Sequence, residues 1–84
     1  MRFGVEWDTH AVKKLEKLPH DLMGRILRKV DDSSLDPFRF LERLEGDPGY
    51  KLRVGSYRLI IDIVPSEHVL LIRDLDHRKR IYKQ

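Results

Sequence analysis

The stretch Tyr50-Lys-Leu-Arg-Val-Gly-Ser-Tyr-Arg-Leu59 holds three cations, Lys51, Arg53 and Arg58, and no acid. Gly55-Ser56, set between two alternating segments, is a two-residue loop with glycine first, which favours a type II′ turn. That turn fixes a register in which Val54 faces Tyr57, Arg53 faces Arg58, Leu52 faces Leu59, Lys51 faces Ile60 and Tyr50 faces Ile61. Alternation then puts Tyr50, Leu52, Val54, Tyr57, Leu59, Ile61 and Ile63 on one side, and Lys51, Arg53, Arg58, Ile60 and Asp62 on the other. Like charges directly opposite cost about 0.2–1 kcal/mol. A surface free of other demands would interleave acids, so either this is a solvated basic face or it is an anion site. Guanidinium groups grip phosphate bidentately, and several together stabilise charge that develops on phosphoryl oxygens.

The C-terminal Asp76-His-Arg-Lys-Arg-Ile-Tyr-Lys-Gln84 is the second dense feature. His77 adds an imidazole, a side chain suited to general acid–base work. Arg78, Lys79, Arg80 and Lys83 add positive charge, and Tyr82 can stack on a base, as suits single-stranded RNA. The alternative is a solvated basic tail. Arg73 belongs to the basic face if the loop after Val64 has four residues, and to the core face if it has three. Four are expected, because a buried unpaired Arg is expensive. Asp74 and Asp76 read as partners for nearby cations, not as catalytic acids.

Other chemistry is sparse. His10, His20, His68 and His77 show no metal-ligand spacing, and His10 and His20 read as helix-surface residues. Ser33, Ser34, Ser56 and Ser66 lie in loops or turns without a nucleophile motif. No glycine-rich phosphate loop, helix-turn-helix or zinc-finger pattern appears, and there are no cysteines. No cofactor or metal is expected.

The elements that must carry these residues follow from periodicity. Residues 2–7 alternate as a strand, and Asp8 or Thr9 can cap the helix after it. Ala11, Val12, Leu15 and Leu18 have helical spacing, and Leu18-Pro19 breaks that helix. A second helix is expected from Pro19 to Asp32, carrying Leu22, Met23, Ile26, Leu27 and Val30 on one stripe. Phe38 to Gly46 could form one or two turns, and Gly46-Asp-Pro-Gly49 is a turn cluster. Strands follow at 50–54, 57–64 and 68–75, the last apolar on both faces and therefore central. The order β-α-α-β-β-β predicts one α+β domain over residues 1–84, with a helical hairpin packed on one face of an antiparallel sheet.

An 84-residue chain supports one core. The net charge of +3 is uneven, since residues 49–84 hold eight Lys/Arg against four Asp/Glu. That half suits an anionic partner. No segment approaches the apolar length of a membrane span or a signal peptide, and a cytoplasmic protein is expected.

The frame of a short strand, Lys14-Leu-Glu-Lys-Leu-Pro19, two helices, Asp36-Pro-Phe-Arg-Phe-Leu-Glu-Arg-Leu-Glu-Gly46, the 49–63 hairpin and His77-Arg-Lys-Arg-Ile-Tyr82 resembles the RelE/ParE superfamily of toxin–antitoxin toxins, on the RelE branch. The resemblance covers essentially the whole chain. It implies a metal-independent mRNA endoribonuclease that enters the ribosomal A site and drives a ribose 2′-hydroxyl onto the adjacent phosphate. It also implies neutralisation by a RelB-like antitoxin. By position, Arg58 would hold the phosphate and Arg78 would stabilise the transition state or help protonate the leaving oxygen. Tyr82 would orient the nucleotide, and Lys51 and Arg53 would supply charge. Arg53 stands where active members often carry a second lysine, and Arg stays protonated, so the general base would be Lys51 or His77. Two other functions remain open at this point: a ParE-like inhibitor of DNA gyrase, and a non-catalytic RNA- or partner-binding module.

Overall fold

The 50–63 hairpin forms with the expected pairing. β3 (Tyr50–Val54) and β4 (Tyr57–Val64) are antiparallel, with Arg53 opposite Arg58 and Lys51 opposite Ile60. Gly55 has φ +59° while Ser56 keeps a negative φ, the combination a type II′ turn needs. This computed structural model describes residues 2–81.

Around the hairpin the chain runs β1 (Gly4–Trp7), α1 (Thr9–Glu16), α2 (His20–Leu35), α3 (Pro37–Phe40), β2 (Glu42–Arg43), β3, β4, β5 (Val69–His77) and α4 (Arg78–Ile81). The sheet order is β1-β5-β4-β3-β2, so β5 is interior, as its two apolar faces require. The α+β class and the placing of helices against one face stand as expected. One strand departs from the antiparallel expectation: β1 pairs with β5 in parallel, Gly4 beside Val69 through Trp7 beside Ile72. Three helices and three strands separate β1 from β5, so no tight turn dictates their relative direction.

Local chemistry sets the helix ends. Asp8 caps α1 by accepting a hydrogen bond from the His10 N–H at 2.9 Å. α2 runs three residues beyond the expected stop. Its buried Ser33 and Ser34 donate their hydroxyls back to the carbonyls of Val30 (2.8 Å) and Asp31 (2.6 Å), so neither carries an unsatisfied polar atom into the core. The helical turn expected to reach Gly46 instead ends at Phe40. Leu41 is drawn into the core, and Glu42–Arg43 line the edge of β3 opposite Lys51 and Tyr50.

The core joins Ala11, Leu15, Ile26 and Val30 of the two long helices to Leu52, Val54, Leu59, Ile61, Leu70, Ile72 and Leu75 of the sheet. Tyr50, Tyr57 and Ile63 pack against it, half-buried. Thus one hairpin face is spent on the core and the other is left for the cations.

The loop after Val64 has four residues, with Val64 opposite Val69. His68, at φ +57°, stacks on Phe3 with ring centroids 3.8 Å apart. One irregularity follows in β5. Ile61 pairs with Ile72 but Ile60 pairs with Asp74, so Arg73 is an extra residue. This bulge lets Arg73 and Asp74 both leave the core face, and Leu75 then returns to it.

Candidate RNA-binding and catalytic face

The face opposite the helices is an open depression of about 1030 Å³. Its floor follows a row across four strands: Glu42 beside Lys51, Lys51 beside Ile60, and Ile60 beside Asp74. Arg58 stands two residues along β4 from Ile60 and also lines it. Arg73 lines one side, and His10, from the first turn of α1, stands beside Asp74. A second row carries Arg53, Arg58 and Asp76 nearer the turn.

This face is not purely cationic. Besides Asp62 on β4 itself, acids arrive from neighbouring elements. Lys51 Nζ is 3.8 Å from Glu42 Oε2. Arg73 Nη2 donates to Asp47 Oδ1 at 3.3 Å, and its Nε lies 2.8 Å from Asp62 Oδ2 as an ion pair off the line of the N–H bond. Gly49 lies beneath this guanidinium. A Cβ there would stand 2.5 Å from Arg73 Nη2, and the Gly49 N–H donates to Asp47 Oδ1 at 2.7 Å. Arg73 is therefore on the basic face, as expected from the loop length, but it is tied to two carboxylates and fastens the 44–49 loop to the sheet.

Asp74 and Asp76 partner cations, as their setting in the sequence suggests. Lys14 of α1 donates to Asp74 Oδ1 at 2.9 Å and to Asp76 Oδ2 at 3.1 Å. Burial alone would lower the Lys14 pKa. The hydrogen bonds and charges of the two carboxylates outweigh it and hold the ammonium above its usual 10.5. His10 Nε2 adds a contact to Asp74 Oδ1 at 3.3 Å.

The C-terminal residues divide. Asp76 pairs across the sheet with Arg58, so His77, one residue on, pairs with Tyr57. The two rings meet edge to face at 5.5 Å. His77 therefore stands on the Tyr57 side of the sheet and not with Lys51. The Arg78 N–H donates to the Ser56 carbonyl at 2.8 Å, which starts α4 beside the hairpin turn, at the Arg53–Arg58 end. Lys79 is exposed on α4, and its N–H bonds His77 Nδ1 at 3.3 Å. Tyr82, Lys83 and the side chain of Arg80 lie outside the described residues.

Of the residues singled out by sequence, the structure gathers Lys51, Arg58 and Arg73 in the depression, sets Arg53 nearer the turn, and brings the Arg78 backbone to the turn at Ser56. Sequence reasoning missed His10, Glu42 and Asp47. His10 carries a faint signal, since it directly follows the Asp8-Thr9 cap and lies four residues before Lys14. The acids of residues 42–47 carry none, because a two-residue strand has no periodicity.

The model of the ParE toxin of the type II toxin–antitoxin system matches residues 5–82. The chain belongs to this toxin family. Its relatives place it with RelE in the wider RelE/ParE superfamily. Toxin RelG of Mycobacterium tuberculosis is 29% identical over 87 residues, covering all of both chains. The toxin of the archaeal RelE–RelB complex from Pyrococcus horikoshii OT3 is 30% identical with a TM-score of 0.81, over 95% of this chain and 99% of that one. In the toxin–antitoxin complex RelBE2 of M. tuberculosis the figures are 28% and 0.82, over 93% of each. This RelE-like toxin, like those neighbours, is an α+β domain. Among its described residues no helix is long and apolar enough to cross a membrane.

Proposed function

We propose that this toxin is a ribosome-dependent mRNA endoribonuclease, neutralised by a RelB-like antitoxin. The observation that carries the reading is the open face that presents Lys51 and Arg58, with Arg53 nearer the turn and the Arg78 backbone bonded to Ser56 there. Arg58 grips the scissile phosphate bidentately, and Lys51 places a point charge beside it. Arg78 approaches from the turn and neutralises charge that grows on the phosphoryl oxygens as the ribose O2′ attacks. The P–O5′ bond breaks, leaving a 2′,3′-cyclic phosphate and a 5′-hydroxyl. Tyr82 stacks on or orients the nucleotide, while Arg53, Lys79, Arg80 and Lys83 extend the track for the backbone. Every step uses side chains of the protein, without a metal.

The antitoxin reading rests on neighbours solved as complexes with RelB proteins. The exposed Leu27, Leu35, Phe38 and Phe40 along α2 and α3 give such a partner apolar surface. The cytoplasm follows as the site of action because ribosomes and mRNA are there.

The test is primer extension on mRNA bound to programmed ribosomes. Wild-type protein should cut, and Arg58→Ala with Arg78→Ala should cut at least about 100-fold more slowly, the loss typical for one transition-state donor. Undiminished cleavage by the double variant would sink the site assignment. Inhibition of gyrase supercoiling without RNA cleavage would transfer the protein to the ParE activity. Tight RNA binding without cleavage would make it a binding module.

A further inference from the structure

The proposed reaction needs a group that accepts the 2′-hydroxyl proton. Arg cannot serve, because it stays protonated. His77 is turned to the Tyr57 side of the sheet. Lys51 stands beside Glu42 and is better used as a cation. An imidazole does line the depression, but it comes from α1.

We infer that His10, oriented by Asp74, is the general base of this site, an assignment that rests on the ribonuclease reading. His10 lines the depression together with Lys51 and Arg58. Asp74 is a firm anchor for it. Its side chain is only 16% exposed, and its Oδ1 also accepts the Leu75 N–H at 2.7 Å and Lys14 Nζ at 2.9 Å. His10 Nε2 lies 3.3 Å from Asp74 Oδ1, so Asp74 holds that edge of the ring and Nδ1 is the nitrogen left to take the proton. This is the nucleophile–base–orienter logic with the ribose hydroxyl as nucleophile.

The row through the floor sets the spacing. Asp74 and Lys51 flank Ile60 from the two adjacent strands, about 9–10 Å apart across two strand spacings. A phosphodiester seated over Ile60 and held by Arg58 therefore has His10 toward one side and Lys51 toward the other. The 2′-hydroxyl proton passes to His10 Nδ1 as the O2′–P bond forms. The P–O5′ bond breaks, and O5′ takes a proton from the Lys51 ammonium. Solvent then returns a proton to Lys51 and removes one from His10.

The charged groups around His10 are Asp74 and Arg73 of β5, Lys14 and the capping Asp8 on its own element, and Arg58 of β4. Lys51 of β3 and Glu42, Arg43, Glu45 and Asp47 of β2 and its loop stand across the depression. Of these groups Asp74 stands 3.3 Å from the imidazole Nε2, so replacing it tests the pairing directly.

The experiment is single-turnover cleavage on programmed ribosomes between pH 5.5 and 9, for wild type, His10→Ala and Asp74→Asn. Wild-type rate should rise through an acid limb as pH increases. His10→Ala should lose about 100-fold or more at the plateau and lose that limb, with its melting temperature kept, because the side chain is 60% exposed. Added imidazole should restore at least tenfold of the lost rate through the open depression. Asp74→Asn should lower the rate and move the limb. Cleavage by His10→Ala within threefold of wild type would overturn the assignment while leaving the ribonuclease reading intact. A loss with the limb retained and no response to imidazole would overturn it equally. No cleavage by wild type would remove both.

Discussion

Replacing Arg53 by Glu should stabilise this toxin while weakening it as a ribonuclease. Arg53 and Arg58 are direct cross-strand partners on the uncovered face of the hairpin. A like-charged pair there costs about 0.2–1 kcal/mol, and an opposite pair returns a similar amount. Asp76 flanks Arg58 from β5 and already offsets part of the repulsion, so the expected total lies in the lower half, about 0.5–1 kcal/mol. For a domain of this size that is roughly 2–8 °C in melting temperature. The assay is a thermal melt of both proteins at 20 mM and 500 mM salt. The gain should be largest at low salt and shrink at high salt, because the pair is solvent-accessible and screened. In parallel, RNA affinity should fall, and its dependence on log salt should flatten by about 0.7 for each lost phosphate contact. A variant that melts at or below the wild-type temperature in low salt would refute the claim that this face gives up stability to gather positive charge.

Gly49→Ala puts a Cβ 2.5 Å from Arg73 Nη2, so the guanidinium must leave Asp47 or Asp62. Half-exposed ion pairs contribute only about 0–1 kcal/mol, so the melt should change little while limited proteolysis within 44–49 speeds up; unchanged proteolysis would count against Arg73 as the fastener of that loop. Lys14→Met should cost about 1–3 kcal/mol by leaving Asp74 and Asp76 short of a donor, read by urea unfolding. Because the folded Lys14 pKa is raised above 10.5, its contribution is fully present below that value and is lost as pH rises through the folded value. The gap between wild type and variant should therefore be constant from pH 7 to 9.5 and close above about 10.5. Leu59→Ala, at a fully buried site in the middle of the sheet, should cost about 2–5 kcal/mol, and a loss below 1 kcal/mol by chemical denaturation would contradict the packing described.

Local chemistry was enough for much of this protein. Gly55-Ser56 decides the turn, the turn decides the register, and the register assigns each of the following residues to core or surface. The Asp8 cap, the Leu18-Pro19 break and the four-residue loop before Val69 act over one to four residues, so they too are legible in sequence. Three features depended on distant parts of the chain. β1 lies parallel to β5, a direction that no short connection between them fixes. The turn after Pro37 ends early because Leu41 enters the core and brings Glu42 against Lys51. Arg73 and Asp74 share a face because a bulge, invisible to alternation, interrupts β5 opposite Ile60 and Ile61. The candidate site divides in the same way. Lys51, Arg53 and Arg58 belong to one hairpin, and sequence placed them. His10 meets Asp74 across 64 positions, and Glu42 and Asp47 meet Lys51 and Arg73 only when the loop folds back. Charge pairing between residues far apart in sequence leaves no period to read, so the cations and Asp62 came from the sequence, while Glu42, Asp47 and the imidazole came from the fold.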